Sequence, residues 1–304
     1  METIRVKKLV KKYGDLVAVN GISFEVKKGE IFGLLGENGA GKTTTLEMIE
    51  GLRTPTSGSI EMLGADLSRG MKNEIKEKIG VQLQSSAYYN FLTLNEILDL
   101  FGGFYSKSIP ALKLLEMVNL ASKADSLVKN LSGGQKQRFS IVAALVNDPE
   151  IVFLDEPTTG LDPIARRRLW DIIVDIKKQG KTIIITTHYM EEAEVLCDRI
   201  AIMDKGVILK MGETHKLIEE TKIPYKISFI LSKPDGPEVE ILKKFGQLEN
   251  LAGKSNHYEM HLKTQEAVNK SIEIIQKLNP ESLTVGRASL EDLFVELTGK
   301  NIEE

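Results

Sequence analysis

The sequence predicts an α/β chain built on a mostly parallel sheet with flanking helices, and three observations predict it. Short, mostly apolar runs such as Ile151–Leu154 and Ile183–Thr187 alternate with helical patterns. A glycine-rich loop joins another apolar run, residues 30–35, directly to a helical stretch. Residues with chemical potential then follow the ends of three such runs: the loop itself, Asp155 with Glu156, and His188. Wholly apolar strands are buried on both faces, which is how parallel sheets covered by helices read. Ligands of such sheets sit beyond the carboxyl ends of the strands, so the three signals converge on one edge.

Taken in order, residues 3–9 and 20–27 alternate as half-buried strands around a turn at Tyr13-Gly14-Asp15, an N-terminal antiparallel β subdomain. The run 30–35 leads into Gly36–Thr43, which fits G-x-x-x-x-G-K-[ST], and a helix from Thr44 to Glu50 is stopped by Gly51. Another strand covers 57–63. From about 85 to 147 the pattern turns helical, with a capping box at Thr93-x-x-Glu96, a second helix over 109–119 and a third beginning at Ser132. Strand–helix alternation returns with helices over 163–179 and 189–197 and short strands near 200–204 and 207–211. Asp162 and Pro163 suit the N-cap and first position of the 163–179 helix, whose Arg166–Arg168 read as a solvated face. After about residue 220 the motifs cease. Strands at Tyr225–Leu231 and Tyr258–Leu262, helices over 237–246 and 265–278, and a helix capped by Ser289 and stopped by Gly299 suggest a small α+β domain of ferredoxin-like pattern.

Bulk properties narrow the function. With 304 residues the chain has room for two domains, and 42% apolar with 27% charged residues is ordinary for a globular protein. A net charge of −3 argues against a polyanion-binding surface over the whole chain, so no nucleic acid is expected as a partner. Cys197 is the sole cysteine, which excludes an internal disulfide and cysteine-ligated metal, and a reducing compartment fits. The first residues lack a signal-peptide core, and no run nears the 18 or so apolar residues of a membrane span. Any membrane role would come through a partner.

The chemistry is that of polyphosphate. Glycines at 36, 39 and 41 let backbone N–H groups turn toward phosphate oxygens, Lys42 brings a charge to the β- and γ-phosphates, and the Thr43 hydroxyl can ligate Mg²⁺. Asp155 would share that ion, Glu156 could orient and deprotonate a water, and His188 could contact the γ-phosphate. Leu131-Ser-Gly-Gly-Gln135 starts another helix, yet its first two positions are glycines, each unfavourable by about 1 kcal/mol against alanine inside a helix. Gly133 and Gly134 make sense if an anion must approach the free N–H groups, a second phosphate site serving a nucleotide other than that held by Lys42.

LSGGQ together with this phosphate loop resembles the ATP-binding-cassette ATPases, and the order of motifs matches through residues 3–215. The resemblance implies a P-loop NTPase core over 1–220, with the helical insertion inside it, and an accessory domain over 221–304. It implies ATP and Mg²⁺ as ligands and a head-to-tail pair of cassettes, each nucleotide closed between the phosphate loop of one and the LSGGQ of the other. Residue by residue, Tyr13 matches the aromatic that stacks on adenine, and Gly36, Glu37, Asn38, Gly39, Ala40, Gly41, Lys42, Thr43 and Thr44 match the phosphate cradle. Gln84 matches the glutamine linking Mg²⁺ and water to the partner contact, with Gln82 two residues earlier. Ser132, Gly133, Gly134 and Gln135 match the signature, Asp155 and Glu156 the metal and base acids, Asp162 the loop touching the opposite subunit, and His188 the switch histidine. With every catalytic position intact, a homodimer with two competent sites is favoured. The segment 288–299 resembles the ending of ATPase subunits of bacterial exporters of drugs, antibiotics or polysaccharides. The expected role is therefore an ATPase at the cytoplasmic face of the membrane, driving a spanning subunit on a separate chain. An importer ATPase, a cassette ATPase acting on DNA or ribosomes, and a non-catalytic nucleotide sensor are the alternatives.

Overall fold

The computed structural model describes residues 2–299 apart from 69, 84–87, 90, 223, 232–236 and 251–255. The chain divides into two compact units, Met1–Glu213 and Thr214–Glu304.

In the first unit, β1 (Glu2–Tyr13), β2 (Leu16–Lys27), β4 (Ser57–Met62) and β5 (Ala65–Asp66) form an antiparallel sheet in the order β2-β1-β4-β5. The main sheet takes β3 (Ile31–Leu35), β6 (Ile79–Gln82), β7 (Ile151–Asp155), β8 (Thr182–Thr187), β9 (Arg199–Asp204) and β10 (Val207–Glu213) in the order β10-β9-β3-β8-β7-β6. All neighbours there are parallel except the β9–β10 edge. Every residue of β3, β7 and β8 is buried, in keeping with the apolar runs at their centres. One core joins the two sheets: Ile4, Val6 and Phe24 pack with Phe32, Phe153 and Ile184, and Phe24 stacks on Phe32 with centroids 5.2 Å apart.

Helices α1 (Lys42–Ile49), α2 (Asn73–Lys76), α3 (Leu94–Gly102), α4 (Ala111–Met117), α5 (Gly133–Ala143), α6 (Pro163–Lys178) and α7 (Met190–Leu196) connect these strands. The capping boxes at Thr93 and Ser132 form as their spacing requires. Helix α1 starts at Lys42, two residues before the expected start at Thr44, so Lys42 and Thr43 belong to its first turn. Strand β6 was not anticipated. It has four residues, two of them Gly80 and Gln82, too short and mixed to register as an apolar run. It is pinned instead by tertiary contact: Asn147 Nδ2 donates to the carbonyls of Glu77 (3.0 Å) and Ile79 (2.8 Å). The backbone past α5 lies so close that a Cβ on Gly80 would fall 1.8 Å from the Ala144 carbonyl oxygen.

The second unit begins with α8 (Thr214–Glu219), seven residues earlier than the boundary drawn from the sequence. It continues with β11 (Tyr225–Ile230), α9 (Pro237–Leu242), β12 (Gln247–Asn250), β13 (His257–Leu262), α10 (Gln265–Lys277), β14 (Ser282–Arg287) and α11 (Leu290–Thr298). Its antiparallel sheet runs β12-β13-β11-β14. In chain order that is strand four, one, three, two with helices after the first and third, the ferredoxin-like arrangement. Ile227, Phe229, Met260 and Leu262 on one sheet face pack against Leu242, Val268 and Ile275 of the helices. Strands β12 and β14 escape a sequence reading because they are largely exposed and carry no apolar alternation.

Candidate active site

Parallel register brings the reactive residues to one edge. Leu35 pairs with Thr187, Asp155 with Thr186, and Gln82 with Leu154, so β3, β8, β7 and β6 end level. The loop after β3 turns at Gly41, whose φ of +98° suits glycine alone, and a Cβ there would lie 2.5 Å from the Ala18 carbonyl oxygen. Ala40 N–H donates to Glu37 O (3.1 Å), closing the loop, while Asn38 and Gly39 are exposed at its tip. The Lys42 ammonium is 4% exposed, donates to the carbonyls of Gly36 (2.8 Å) and Glu37 (3.1 Å), and stands 3.4 Å from Glu156 Oε1. Its burial lowers its pKa, with Glu156 acting in the opposite direction.

Asp155 ends β7 buried. Thr43 Oγ1 donates to its Oδ1 at 3.3 Å, and the Thr186 hydroxyl donates to the same oxygen. Burial raises this carboxyl's pKa, so the site favours a cation beside it. A hydroxyl and a carboxylate are hard oxygen donors, and Mg²⁺ is normally bound through one or two carboxylates with substrate phosphates supplying the rest. The residues therefore fit that ion. Among the described residues no cluster of three His, Cys, Asp or Glu could hold a metal ion.

Glu156 has φ +45°, a left-handed conformation costing a non-glycine residue on the order of 1 kcal/mol and typical of functional positions. Its N–H donates to Thr186 Oγ1 (3.0 Å). The turn separates the two acids: Asp155 meets Thr43, whereas Glu156 meets Lys42, His188 and Thr159. His188 Nδ1 lies 3.3 Å from Glu156 Oε2, and Thr159 Oγ1 donates to that oxygen at 3.2 Å. These contacts, the His188 one foremost and Lys42 next among the groups that lower it, hold the Glu156 carboxyl at about 2. It is an ionised acceptor at neutral pH. A third acid, Glu50 at the end of α1, is the reverse case: burial first, then Asp155 and Glu47, push it up to about 8.

The other expected residues fall in two further places. Tyr13 ends β1 with 40% of its surface exposed, its hydroxyl accepting from Arg53 Nη1 (2.9 Å) and its ring flanked by Lys11 and Arg53. Ser132, Gly133, Gly134, Gln135 and Asp162 line a groove of about 430 Å³ with Arg138 and Arg168, and that groove contains no residue of the loop 36–43. Neither glycine is crowded: a Cβ on Gly133 meets nothing within 4 Å, and one on Gly134 meets only Ala165 at 3.4 Å. Asp162 also accepts from the N–H groups of Ile164 (3.0 Å) and Ala165 (2.9 Å), capping α6. Gln84 lies outside the described residues, while Gln82 is buried in β6 and donates to Leu83 O (2.7 Å).

Sequence reasoning passed over Thr186, Thr159 and Glu50, and it misplaced Arg166. Thr186 and Thr187 at the end of an isoleucine run were the one available signal. Arg166, expected on a solvated face, is half-buried with its guanidinium 4.2 Å from the Tyr189 ring centroid.

A family model described as ABC transporter matches residues 19–159. A Nod factor export ATP-binding protein I of Burkholderia orbicola is 39% identical over 97% of this chain and 96% of its own length. A protein of that name from Rhizobium meliloti is 37% identical over 99% and 89%. Among solved structures, the ADP conformation of MJ1267, an ATP-binding cassette of an ABC transporter, superposes with TM-score 0.64 at 26% identity over 71% of this chain and 92% of that one. A dimeric post-hydrolysis cassette, MJ0796 bound to ADP and Pi, gives 0.62 at 27% identity over 69% and 98%.

Proposed function

Because this chain belongs to the ABC transporter family as an ATP-hydrolysing subunit that binds ATP with Mg²⁺, we propose that two copies of it close around two nucleotides and drive export through a separate membrane-spanning subunit. One observation carries the dimer: the groove at Ser132–Gln135 and Asp162 shares no lining residue with the phosphate loop, which supports a site that each copy completes for the other. The dimeric cassette among the similar structures supports the same reading. Export is supported by relatives named Nod factor export ATP-binding protein I, which align along nearly the whole chain. No described helix is long and apolar enough to cross a membrane. The relatives, named as ATP-binding proteins of an export system, support a spanning subunit on another chain with this subunit at the cytoplasmic face beside it. The motif-bearing residues up to about 220 would form the nucleotide-binding domain and the remainder the accessory domain.

Within each site we assign the loop 36–44 and Lys42 to the phosphates, Thr43 and Asp155 to Mg²⁺, and Tyr13 to the base. The bound ion supplies charge neutralisation at the phosphates. Glu156, ionised at neutral pH, orients the attacking water and accepts its proton, and His188 fixes the carboxylate and reaches the γ-phosphate. Ser132 and Gly134 of the partner copy contact the same phosphate, so binding favours the closed pair and hydrolysis reopens it. Glu156→Gln keeps the shape and removes the base. It should bind MgATP and accumulate as a dimer on size exclusion, with turnover reduced by about 10² or more. A variant that remains monomeric with MgATP would sink the closure mechanism.

A further inference from the structure

The histidine that meets Glu156 is itself held by its neighbours. The rings of His188 and Tyr189 lie 4.2 Å apart, tilted by 40°. The Arg166 guanidinium sits over the Tyr189 ring at 4.2 Å, and its buried Nε takes no hydrogen-bond partner among the described residues. A cation over an aromatic face is attracted to it, more strongly when water is excluded. Four residues further along α6, Trp170 Nε1 donates to Glu192 Oε1 at 3.1 Å, and Glu192 is fully buried. Burial pushes the Glu192 carboxyl up, while the Arg166 charge is among the influences holding it down. Residues four apart share a helix face, so one face of α6 grips the start of α7 at two points, Tyr189 and Glu192.

We propose that Arg166 and Tyr189 are positioning residues for His188, and that the Arg166–Tyr189 stack ties the imidazole, and through it Glu156, to the head of α6. The inference rests on the role of His188 given above. Its consequence is mechanical. Asp162 caps helix α6 in the loop expected to touch the opposite subunit, so a shift of that loop moves Arg166, the Tyr189 ring and the imidazole as one stack. Neither residue touches nucleotide, so their loss should change the rate of hydrolysis and leave ATP binding alone.

The test is single-turnover hydrolysis and MgATP binding by the full-length chain. It compares Tyr189→Ala, Tyr189→Phe, Arg166→Ala and Arg166→Gln, each made also in a His188→Ala background. Tyr189→Ala and both Arg166 variants should lose about tenfold in rate with the MgATP Kd within about twofold, and Tyr189→Phe should stay within about twofold of wild type. In the His188→Ala background none of them should cause a further loss, because the stack then has nothing to hold. Wild-type rates in Tyr189→Ala and in the Arg166 variants, or the same fractional loss in both backgrounds, overturn the proposal; the second pattern is what a merely structural role would give. Undiminished hydrolysis in His188→Ala alone overturns the role of His188, and the stack with it, and is read separately from the other variants.

Discussion

Three buried carboxyl groups differ in pKa because their neighbours differ. Glu156 has a lysine, an imidazole and a hydroxyl around it and stays ionised. Asp155 has two hydroxyls and the charge of Lys42, which do not offset its burial, so its pKa is raised. Glu50 has only like charge in reach and is neutral at pH 7. Its value of about 8 exceeds the usual 4.5, so the folded chain binds one more proton than the unfolded chain between those values. Stability is therefore lost as pH rises from about 4.5 towards about 8. Glu50→Gln should flatten that decline in urea-unfolding curves while leaving hydrolysis within about twofold. An unchanged pH slope would mean that Glu50 is charged in the folded protein.

At the scale of elements, the start of α5 is a helix end kept weak for contact. Its Gly133 and Gly134 have room for a Cβ, so the fold does not require glycine there. Gly133→Ala and Gly134→Ala should each raise unfolding stability by up to about 1 kcal/mol yet reduce ATP-driven dimerisation, the added methyl standing where the partner's phosphate would approach. Lower stability in both variants would show that the glycines serve the monomer. This end was legible in the sequence because the capping box and the glycines pull in opposite directions. Strands β3, β7 and β8 were legible for a different reason, each holding an apolar run of three or more residues and being buried along its whole length. What escaped was whatever depends on distant partners: β6 is held by Asn147, β12 and β14 mainly by backbone pairing with one leucine each against the core, and Arg166 by a ring more than twenty residues away. No local pattern records such contacts. The loop, the two acids and His188 were readable because each follows an apolar strand, but their mutual order was not, since it requires the register of three strands.

For the whole molecule, the proposed completion of each site by a second copy would make stability a function of protein concentration. A ligand at a hundred times its Kd stabilises the folded state by about 2.7 kcal/mol, and a dimer adds a mass-action dependence on its own concentration. With MgATP, the melting temperature of Glu156→Gln should rise further when protein concentration is raised tenfold, and chelation of Mg²⁺ should cancel the increment. A concentration-independent shift would place a complete site within one chain.

The pairing of β3 bears on how this protein is made. Ile31 pairs with Ile183 and Phe32 with Arg199, so both neighbours of the strand that carries the phosphate loop are translated more than 150 residues after it. At about 5–20 residues per second, a nascent chain waits roughly 10–30 s between making that loop and making the strands that fix it. Closing such distant pairs is slow even for a complete chain. During that interval the ribosome carries an apolar strand with neither edge covered, so chaperone binding should concentrate on chains halted before β9. ATP can assist folding only after the last of these strands has emerged.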